Sequence, residues 1–246
     1  MSDEKNLKTF PHFKYEKFIG ILIHLSTGFG IIAGFLSLIA ILNNNQKEAF
    51  IWLGIAFLID SVDGTLARKF DVKKNLPHID GKTLDSIIDF FNYVIVPSVM
   101  IYWFEYVPDQ FIVLIPLILI FISIYSYVNL NILTSDNYYN GFPAIWNVVV
   151  LYFYIFGTNQ VINLSILILF ILLKFSPIKC IHPLRVKKLR PLSIFFTITW
   201  FLTSALLIFI KDTNINLFYE IFFMFSWVIS NIYFISLSLI KTFKIS

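Results

Sequence analysis

The sequence predicts an all-α integral membrane protein, a polytopic bundle of about eight transmembrane helices. Of its 246 residues, 58% are hydrophobic and only 14% are charged, which leaves too few polar side chains to cover a soluble domain of this size. The apolar residues also form long blocks, most of them near the ~20 residues that a helix needs to cross ~30 Å of hydrocarbon. Together these observations predict that residues 1–246 form a single membrane domain.

The apolar blocks define eight predicted spans. They cover residues 18–42, 48–68, 83–104, 111–133, 143–157, 160–176, 192–211 and 217–240. The fifth and sixth blocks are short, so we expect either a tight hairpin or a partly re-entrant pair interrupted at residues 157–160. In either case the pair returns the chain to the side from which it came.

Lysine and arginine are unequally divided between the two sides of this bundle. Seventeen of the 19 lie near the two termini or in the connections 68–82 and 174–190, and only Lys47 and Lys211 lie on the other side. The positive-inside rule therefore predicts that both termini and the connection within residues 60–89 are cytoplasmic. The net charge of +4 reflects topology and contact with anionic membrane lipid, and no nucleic-acid partner is expected.

The N-terminal segment, residues 1–17, lacks the apolar core and the small-residue cleavage site of a secretory signal. Aromatic residues such as Phe13 and Tyr15 lie beside Lys14 and Lys17. This mixture suits a short helix in the membrane interface, and it suits a frayed basic tail equally well.

Carboxylates interrupt the second and third apolar blocks at Asp60, Asp63, Asp85 and Asp89. One carboxylate near the middle of a membrane helix costs roughly 2.5–3.5 kcal/mol on insertion scales. Four of them close together therefore require a cation or a polar substrate.

Helical spacing groups the residues around these carboxylates into two stripes, because positions three and four apart share a face. The first stripe consists of Asp60, Asp63, Gly64, Ala67 and Arg68. The second stripe consists of Gly81, Asp85 and Asp89. Since the second span runs toward the cytoplasm and the third runs back, both stripes lie at a similar depth and can converge.

A pocket of this composition suits two divalent ions, Mg²⁺ or Mn²⁺, which prefer oxygen ligands and promote displacement at phosphorus. Small residues at Gly64, Ala67 and Gly81 allow a helix or a nucleotide to approach the backbone, and Arg68 offers a planar set of donors for phosphate. Three alternatives stay open: an ion relay in a cation transporter, structural salt bridges, and glycines that only serve helix packing. Transport would need a path of polar residues to the far side of the membrane, and after Asp89 the third span offers only Asn92 before an apolar run.

The string from Asp60 to Asp89 resembles the signature of the CDP-alcohol phosphotransferases, membrane enzymes that move a phosphate-bearing group from a CDP-linked donor to an alcohol. All eight fixed positions are present, although the gap from Arg68 to Gly81 is longer than in most members. Three strings are similar to a bacterial group in that family, the phosphatidylcholine synthases. They are DGKTLDSIIDFFNYVIVP (80–97), GFPAIWN (141–147) and HPLRVKKLRPLS (182–193).

The resemblance implies specific roles for the residues of the motif. The two divalent ions, Mn²⁺ or Mg²⁺, would be held by Asp60, Asp63, Asp85 and Asp89, and Asp89 would also be the general base. The CDP or CMP portion would be bound by Asp60, Gly64, Ala67, Arg68 and Gly81. The expected substrates are CDP-diacylglycerol and choline, and the expected location is the bacterial inner membrane. A homodimer is left open.

The acceptor alcohol is the least determined part of this prediction. Serine, glycerol phosphate or inositol phosphate are alternatives to choline. The Arg185–Arg190 cluster would suit an anionic acceptor, although topology also explains it. Choline itself requires aromatic faces around its quaternary ammonium. The candidate contacts are Tyr93, Trp146 and Tyr152, with His24 and Ser26 as polar candidates for the alcohol or the nucleotide.

Overall fold

A computed structural model describes residues 10–186, 189–211, 213 and 217–243. Its helices are α1 (Phe10–Leu42), α2 (Gln46–Lys69), α3 (Val72–Asn75), α4 (Gly81–Phe90), α5 (Val96–Trp103), α6 (Leu114–Val128), α7 (Trp146–Phe156), α8 (Gln160–Lys174), α9 (Arg190–Ile210) and α10 (Leu217–Phe243). A π-helical turn, Phe91–Ile95, joins α4 to α5, and a 3-10 turn, Asp109–Phe111, precedes α6. Residues 1–9 of the predicted interfacial segment lie outside the described residues, and the remainder of that segment belongs to α1.

Within the described part of the chain, six helical stretches are long and apolar enough to cross a membrane. They are Tyr15–Leu42, Gln46–Lys69, Gly81–Trp103, Asp109–Val128, Arg190–Ile210 and Leu217–Phe243. The prediction of a polytopic helical membrane protein is therefore confirmed. The predicted fifth and sixth spans are the shorter helices α7 and α8, and the 11 residues of α7 rise only about 16 Å.

The helices α7 and α8 form a hairpin that returns the chain to its starting end, as expected. Gly157, with a φ of 57°, ends α7 in the left-handed conformation that favours glycine. At the other end of the pair, the Gly141 N–H donates to the Ile178 carbonyl at 2.8 Å, and the Phe142 N–H donates to the Leu173 carbonyl at 3.2 Å. The entry to α7 and the exit from α8 are thus neighbours.

Hydrogen bonds also tie together the turns at the opposite end of the bundle. The Trp103 indole donates to Asn44 Oδ1 at 2.9 Å, and the Asn163 amide donates to the Tyr106 carbonyl at 2.9 Å. These bonds join the turn after α1 to the end of α5, and the turn after α5 to the start of α8. The carboxylate-bearing connection lies at the other end, which agrees with the alternation predicted from the apolar blocks.

A two-stranded antiparallel sheet covers part of the carboxylate end, and the sequence analysis did not predict it. Strand β1 (Tyr138–Asn140) pairs with β2 (Lys179–Ile181) so that Tyr139 opposes Cys180. The outer edge of β2 is satisfied by α10, because the N–H groups of Lys179 and Ile181 donate to the hydroxyls of Thr242 and Ser238. Alternation along β1 turns Tyr138 toward α10 and Tyr139 toward the opposite face.

Glycines on α1 let the π-helical turn approach its backbone. A Cβ on Gly34 would lie 2.9 Å from Phe91 Cδ1 and would overlap the side-chain oxygen of Asn92. The Asn92 amide in turn donates to the Gly30 carbonyl at 3.1 Å. Close packing at this crossing therefore sets the position of the segment that follows Asp89.

We expect Gly34→Ala to destabilise the protein by about 1–3 kcal/mol, the usual cost of forcing a methyl group into a packed interior. The added methyl group has to displace Phe91 and Asn92, so the loss should appear as a lower melting temperature in detergent. Gly28→Ala is the matched control on the same helix, because no described atom lies within 4 Å of its Cβ position. Equal melting temperatures for the two variants would contradict this account of the crossing.

Candidate active site

Three carboxylates from two membrane helices meet at one point. Asp60 of α2 and Asp85 and Asp89 of α4 each offer an oxygen, and these oxygens all lie within 4.8 Å of one another. The start of α4 is set by Asp80, whose side chain accepts hydrogen bonds from the backbone N–H groups of Lys82 and Thr83. The Thr83 hydroxyl also donates to Asp80, at 2.6 Å. This bond, followed by the bonds from the backbone N–H groups, holds the pKa of Asp80 below its usual value, so it caps the helix as a carboxylate.

Tyr93 joins this group through its hydroxyl, which donates to Asp60 Oδ2 at 2.7 Å. It lies in the π-helical turn, where the Val96 N–H donates to the Phe91 carbonyl five residues earlier. Such turns inside α-helices occur frequently at functional sites. The structure thus connects Tyr93, a candidate choline contact, directly to a predicted metal ligand.

The fourth predicted ligand, Asp63, is not one of the three clustered residues. Its side chain is buried, with only 5% of the residue exposed, and it faces the hydroxyl of Thr27 on α1. Its charge still acts on Asp60, Asp85 and Asp89. The structure therefore brings three of the four predicted ligands together, and the role of Asp63 stays a prediction.

Arg185 is a cation whose charge acts on all four carboxylates. In the sequence, topology is the main explanation of the Arg185–Arg190 cluster, and only the fold shows where Arg185 lies. It follows strand β2, whose pairing with β1 holds this loop over the carboxylate end. No direct salt bridge joins Arg185 to these carboxylates in the part of the chain that the structure describes.

The predicted nucleotide residues divide into two neighbouring groups. On α2, a Cβ on Gly64 would lie 3.3 Å from Arg68 Nη1, and Arg68 donates to Thr65 Oγ1 at 3.2 Å, while Ala67 is half-buried. On α4, a Cβ on Gly81 would lie 2.7 Å from the His24 ring. The arginine of the motif thus folds over one glycine and a histidine covers the other.

The two polar candidates on α1 differ in their hydrogen bonding. The buried Nε2 atom of His24 has no hydrogen-bond partner among the described residues, whereas Ser26 donates to the Ile23 carbonyl at 2.8 Å. A buried nitrogen without a partner is available to a polar ligand. His24 is therefore the stronger of the two candidates, and its position beside Gly81 favours the nucleotide.

The aromatic candidates of α7 lie in the protein interior. Trp146 is fully buried, and its indole donates to Ser123 Oγ at 2.8 Å. The Tyr152 hydroxyl accepts from the Trp200 indole at 2.9 Å and donates to Asn231. Both side chains form hydrogen bonds with residues of neighbouring helices. These hydrogen bonds do not support a contact with choline, which stays a prediction.

Two tyrosines that the sequence analysis did not select lie close to the carboxylates. They are Tyr127 on α6 and Tyr139 on β1. Both hydroxyls interact electrostatically with the same three carboxylates, which are Asp60, Asp85 and Asp89. With 12 tyrosines and 28 phenylalanines in the chain, no local pattern distinguishes these two rings.

The clustered carboxylates have the composition of a divalent-cation site. Like charges this close repel one another, and partial burial deprives them of the solvation that would offset the repulsion. A hard cation with oxygen ligands removes this conflict. The donor set of Asp60, Asp85 and Asp89 therefore fits Mg²⁺ or Mn²⁺.

Comparison with known proteins assigns this arrangement to a family. The family model described as CDP-alcohol phosphatidyltransferase matches residues 22–234. The chain belongs to this family. The resemblance noted in the sequence is confirmed, and enzymes of the family generally depend on divalent metal ions.

Several relatives carry the name phosphatidylcholine synthase. The one from Pseudomonas aeruginosa is 36% identical over 217 residues, which cover 88% of this chain and 89% of the relative. The one from Borreliella burgdorferi is 38% identical over 72% of this chain and 76% of its own length. A third, from Rhizobium johnstonii, is 33% identical over 83% and 82% of the two chains.

Proposed function

We propose that this protein transfers the phosphatidyl group from CDP-diacylglycerol to choline and releases CMP. The observation that carries the proposal is the meeting of Asp60, Asp85 and Asp89 on two membrane helices, within the region that matches the family. Choline is taken from the names of the relatives. The whole chain would act as one membrane domain.

Asp60, Asp63, Asp85 and Asp89 would hold two divalent ions, Mg²⁺ or Mn²⁺. When bound, such ions neutralise the pyrophosphate of the donor and the charge that develops on the departing CMP. Tyr93 would orient Asp60 through its hydrogen bond. The cytidine nucleotide would lie along Gly64, Ala67, Arg68 and Gly81, with the free His24 nitrogen as a further polar contact.

Asp89 would serve as the general base. A neutral alcohol is a poor nucleophile, so a carboxylate within hydrogen-bond reach has to accept its proton as the new bond to phosphorus forms. The bond between that phosphorus and the CMP oxygen breaks in the same displacement, and CMP leaves. A membrane helix carries Asp89, which allows the base to meet a lipid-linked donor near the headgroup region.

Arg185 supports a second candidate acceptor. Its positive charge acts on the carboxylate site, and a cation there would attract an anionic alcohol such as glycerol phosphate or inositol phosphate, or the carboxylate of serine. The transporter alternative does not accord with membership of an enzyme family.

The acceptor can be identified directly with purified protein. We expect CMP release when CDP-diacylglycerol and Mn²⁺ are supplied with choline, and none above background with serine, glycerol phosphate or inositol phosphate. The lipid product is identified by mass spectrometry. Preferential use of an anionic alcohol would replace the choline proposal with the second candidate.

We further propose a bacterial inner-membrane location with the active site and both termini on the cytoplasmic side. On a Cys180→Ser background, single cysteines at Lys74 and Pro183 should react with a membrane-impermeant maleimide only from the cytoplasmic side. Cysteines at Asn43 and Thr213 should react from outside. The reverse pattern would place the carboxylates on the face opposite to the cytosolic nucleotide pool and would overturn the orientation.

A further inference from the structure

Three tyrosines from separate elements surround the carboxylates, and we call them the tyrosine cluster: Tyr93, Tyr127 and Tyr139. Tyr93 reaches the site from the π-helical turn and donates to Asp60. Tyr127 approaches from the last turn of α6, and its hydroxyl interacts electrostatically with both the carboxylates and Tyr139. Tyr139 lies on β1, so the three rings belong to three different elements.

Two ring contacts fix the orientation of this cluster. Tyr127 packs perpendicular to Phe90, the residue after Asp89, with ring centroids 5.4 Å apart. Tyr139 stacks on His182 at 5.4 Å with only 10° between the ring planes. Aromatic pairs in these geometries are favourable beyond their buried area, so the rings are held in place before a ligand arrives.

Arg185 acts electrostatically on both rings of this pair, and Arg68 acts on His182. Burial and the neighbouring Arg185 lower the pKa of His182 to about 3. The imidazole is therefore neutral at physiological pH, because the pH lies far above that value. The His182 ring therefore supports one face of Tyr139 without adding a positive charge of its own.

A quaternary ammonium group has no proton to donate, so proteins recognise it through aromatic faces and nearby negative charge. The tyrosine cluster supplies the aromatic faces, and Asp89, the assigned base, is the carboxylate beside them. Resting on the proposed function, we propose that Tyr127 and Tyr139, together with Tyr93, bind the quaternary ammonium of the acceptor alcohol. This assigns specificity for a cationic acceptor to α6 and β1, away from Trp146 and Tyr152.

The proposal also explains how the acceptor hydroxyl would reach the base. In choline only two carbons separate the ammonium nitrogen from the hydroxyl oxygen. An ammonium held against Tyr127 and Tyr139 would therefore keep the hydroxyl near Asp89, with which both tyrosines interact. The positive charge of Arg185 would then pair with the negatively charged diphosphate of the donor.

Leucine and phenylalanine substitutions at Tyr127 and Tyr139 distinguish the contribution of the aromatic ring from that of the hydroxyl. Leucine removes both groups, whereas phenylalanine removes only the hydroxyl. Each aromatic face contributes about 0.5–2 kcal/mol to binding a cation, so Tyr127→Leu and Tyr139→Leu should each raise the choline KM about two- to thirtyfold. Tyr127→Phe and Tyr139→Phe should keep it within about twofold. The KM for CDP-diacylglycerol should stay unchanged in all four variants.

Tyr125→Leu is the matched control, since Tyr125 lies two residues earlier on α6, is exposed and packs on Phe175. If the leucine variants do not fold, Tyr127→Met and Tyr139→Met are measured instead. Methionine also removes the ring, and its flexible side chain fills more of the space that tyrosine leaves. Tetramethylammonium, which carries the charge without the hydroxyl, should inhibit the wild type competitively against choline. Its inhibition constant should rise in parallel with the choline KM.

The outcomes separate this inference from the proposed function. A wild type that does not use choline overturns the proposed function whatever the variants show. A wild type that uses choline, with leucine and methionine variants whose choline KM is unchanged, overturns the tyrosine cluster alone. Phenylalanine variants whose choline KM rises as much as that of the leucine variants would also overturn it, because the hydroxyls and not the ring faces would then bind choline.

Discussion

Asp89→Asn should lower CMP release by a factor of about 10² or more, because a general base contributes roughly 10²–10⁴ to the rate. The amide cannot accept the proton of the acceptor alcohol, yet its oxygen can still face a cation beside Asp60 and Asp85. We therefore expect CDP-diacylglycerol binding to persist while turnover is lost. Single-turnover CMP release and Mn²⁺ binding followed by electron paramagnetic resonance test the two expectations separately.

Asp80→Asn is the matched control for this variant. Asp80 lies at the start of the same helix but outside the cluster of three carboxylates. Asparagine caps helices about as well as aspartate, so the cap should survive and activity should stay close to that of the wild type. Near-normal turnover of Asp89→Asn would show that the base has been assigned wrongly.

Gly141→Ala should prevent the carboxylate end from forming correctly. Gly141 has a φ of 84°, which side chains disfavour, and a Cβ there would overlap the backbone carbonyl of Lys174, with its carbonyl carbon only 2.9 Å away. A backbone clash cannot be relieved by a rotamer change. We expect a loss of more than about 3 kcal/mol, the upper end of the usual cost of overpacking, seen as a much lower melting temperature and poor recovery of folded protein.

Gly157→Ala isolates the part of this cost that comes from the dihedral angle alone. Gly157 also has a positive φ, 57°, but no described atom lies within 4 Å of its Cβ position. This variant should lose only about 1–2 kcal/mol, the usual cost of a left-handed conformation. Comparable losses in the two variants would show that contact with Lys174 is not what makes Gly141 necessary.

The sequence was most informative where function depends on spacing along one helix. Asp85 and Asp89 lie four residues apart and Asp60 lies on the preceding span, so their common face and depth followed from helical geometry. The apolar blocks likewise predicted the order of the helices and the return of the α7–α8 hairpin, because each crossing needs a minimum apolar length.

Sequence reasoning was less successful where the answer depended on contacts between distant segments. The two strands are three residues each, and β2 is completed by hydroxyls of α10 more than 50 residues away. No periodic pattern in the sequence predicts such a sheet. For the same reason the sequence around Arg185 indicates mainly topology, although the sheet holds its loop next to the carboxylates.

The sequence by itself determined that this is a helical membrane protein with four carboxylates on two spans, because membrane insertion and helical period act on neighbouring residues. Only the tertiary structure decided which side chains meet those carboxylates. It grouped Asp60, Asp85 and Asp89, left Asp63 facing Thr27, and brought Tyr127 and Tyr139 to the site. The physical reason is that such contacts depend on how helices and strands pack, and packing joins residues whose separation along the chain carries no pattern.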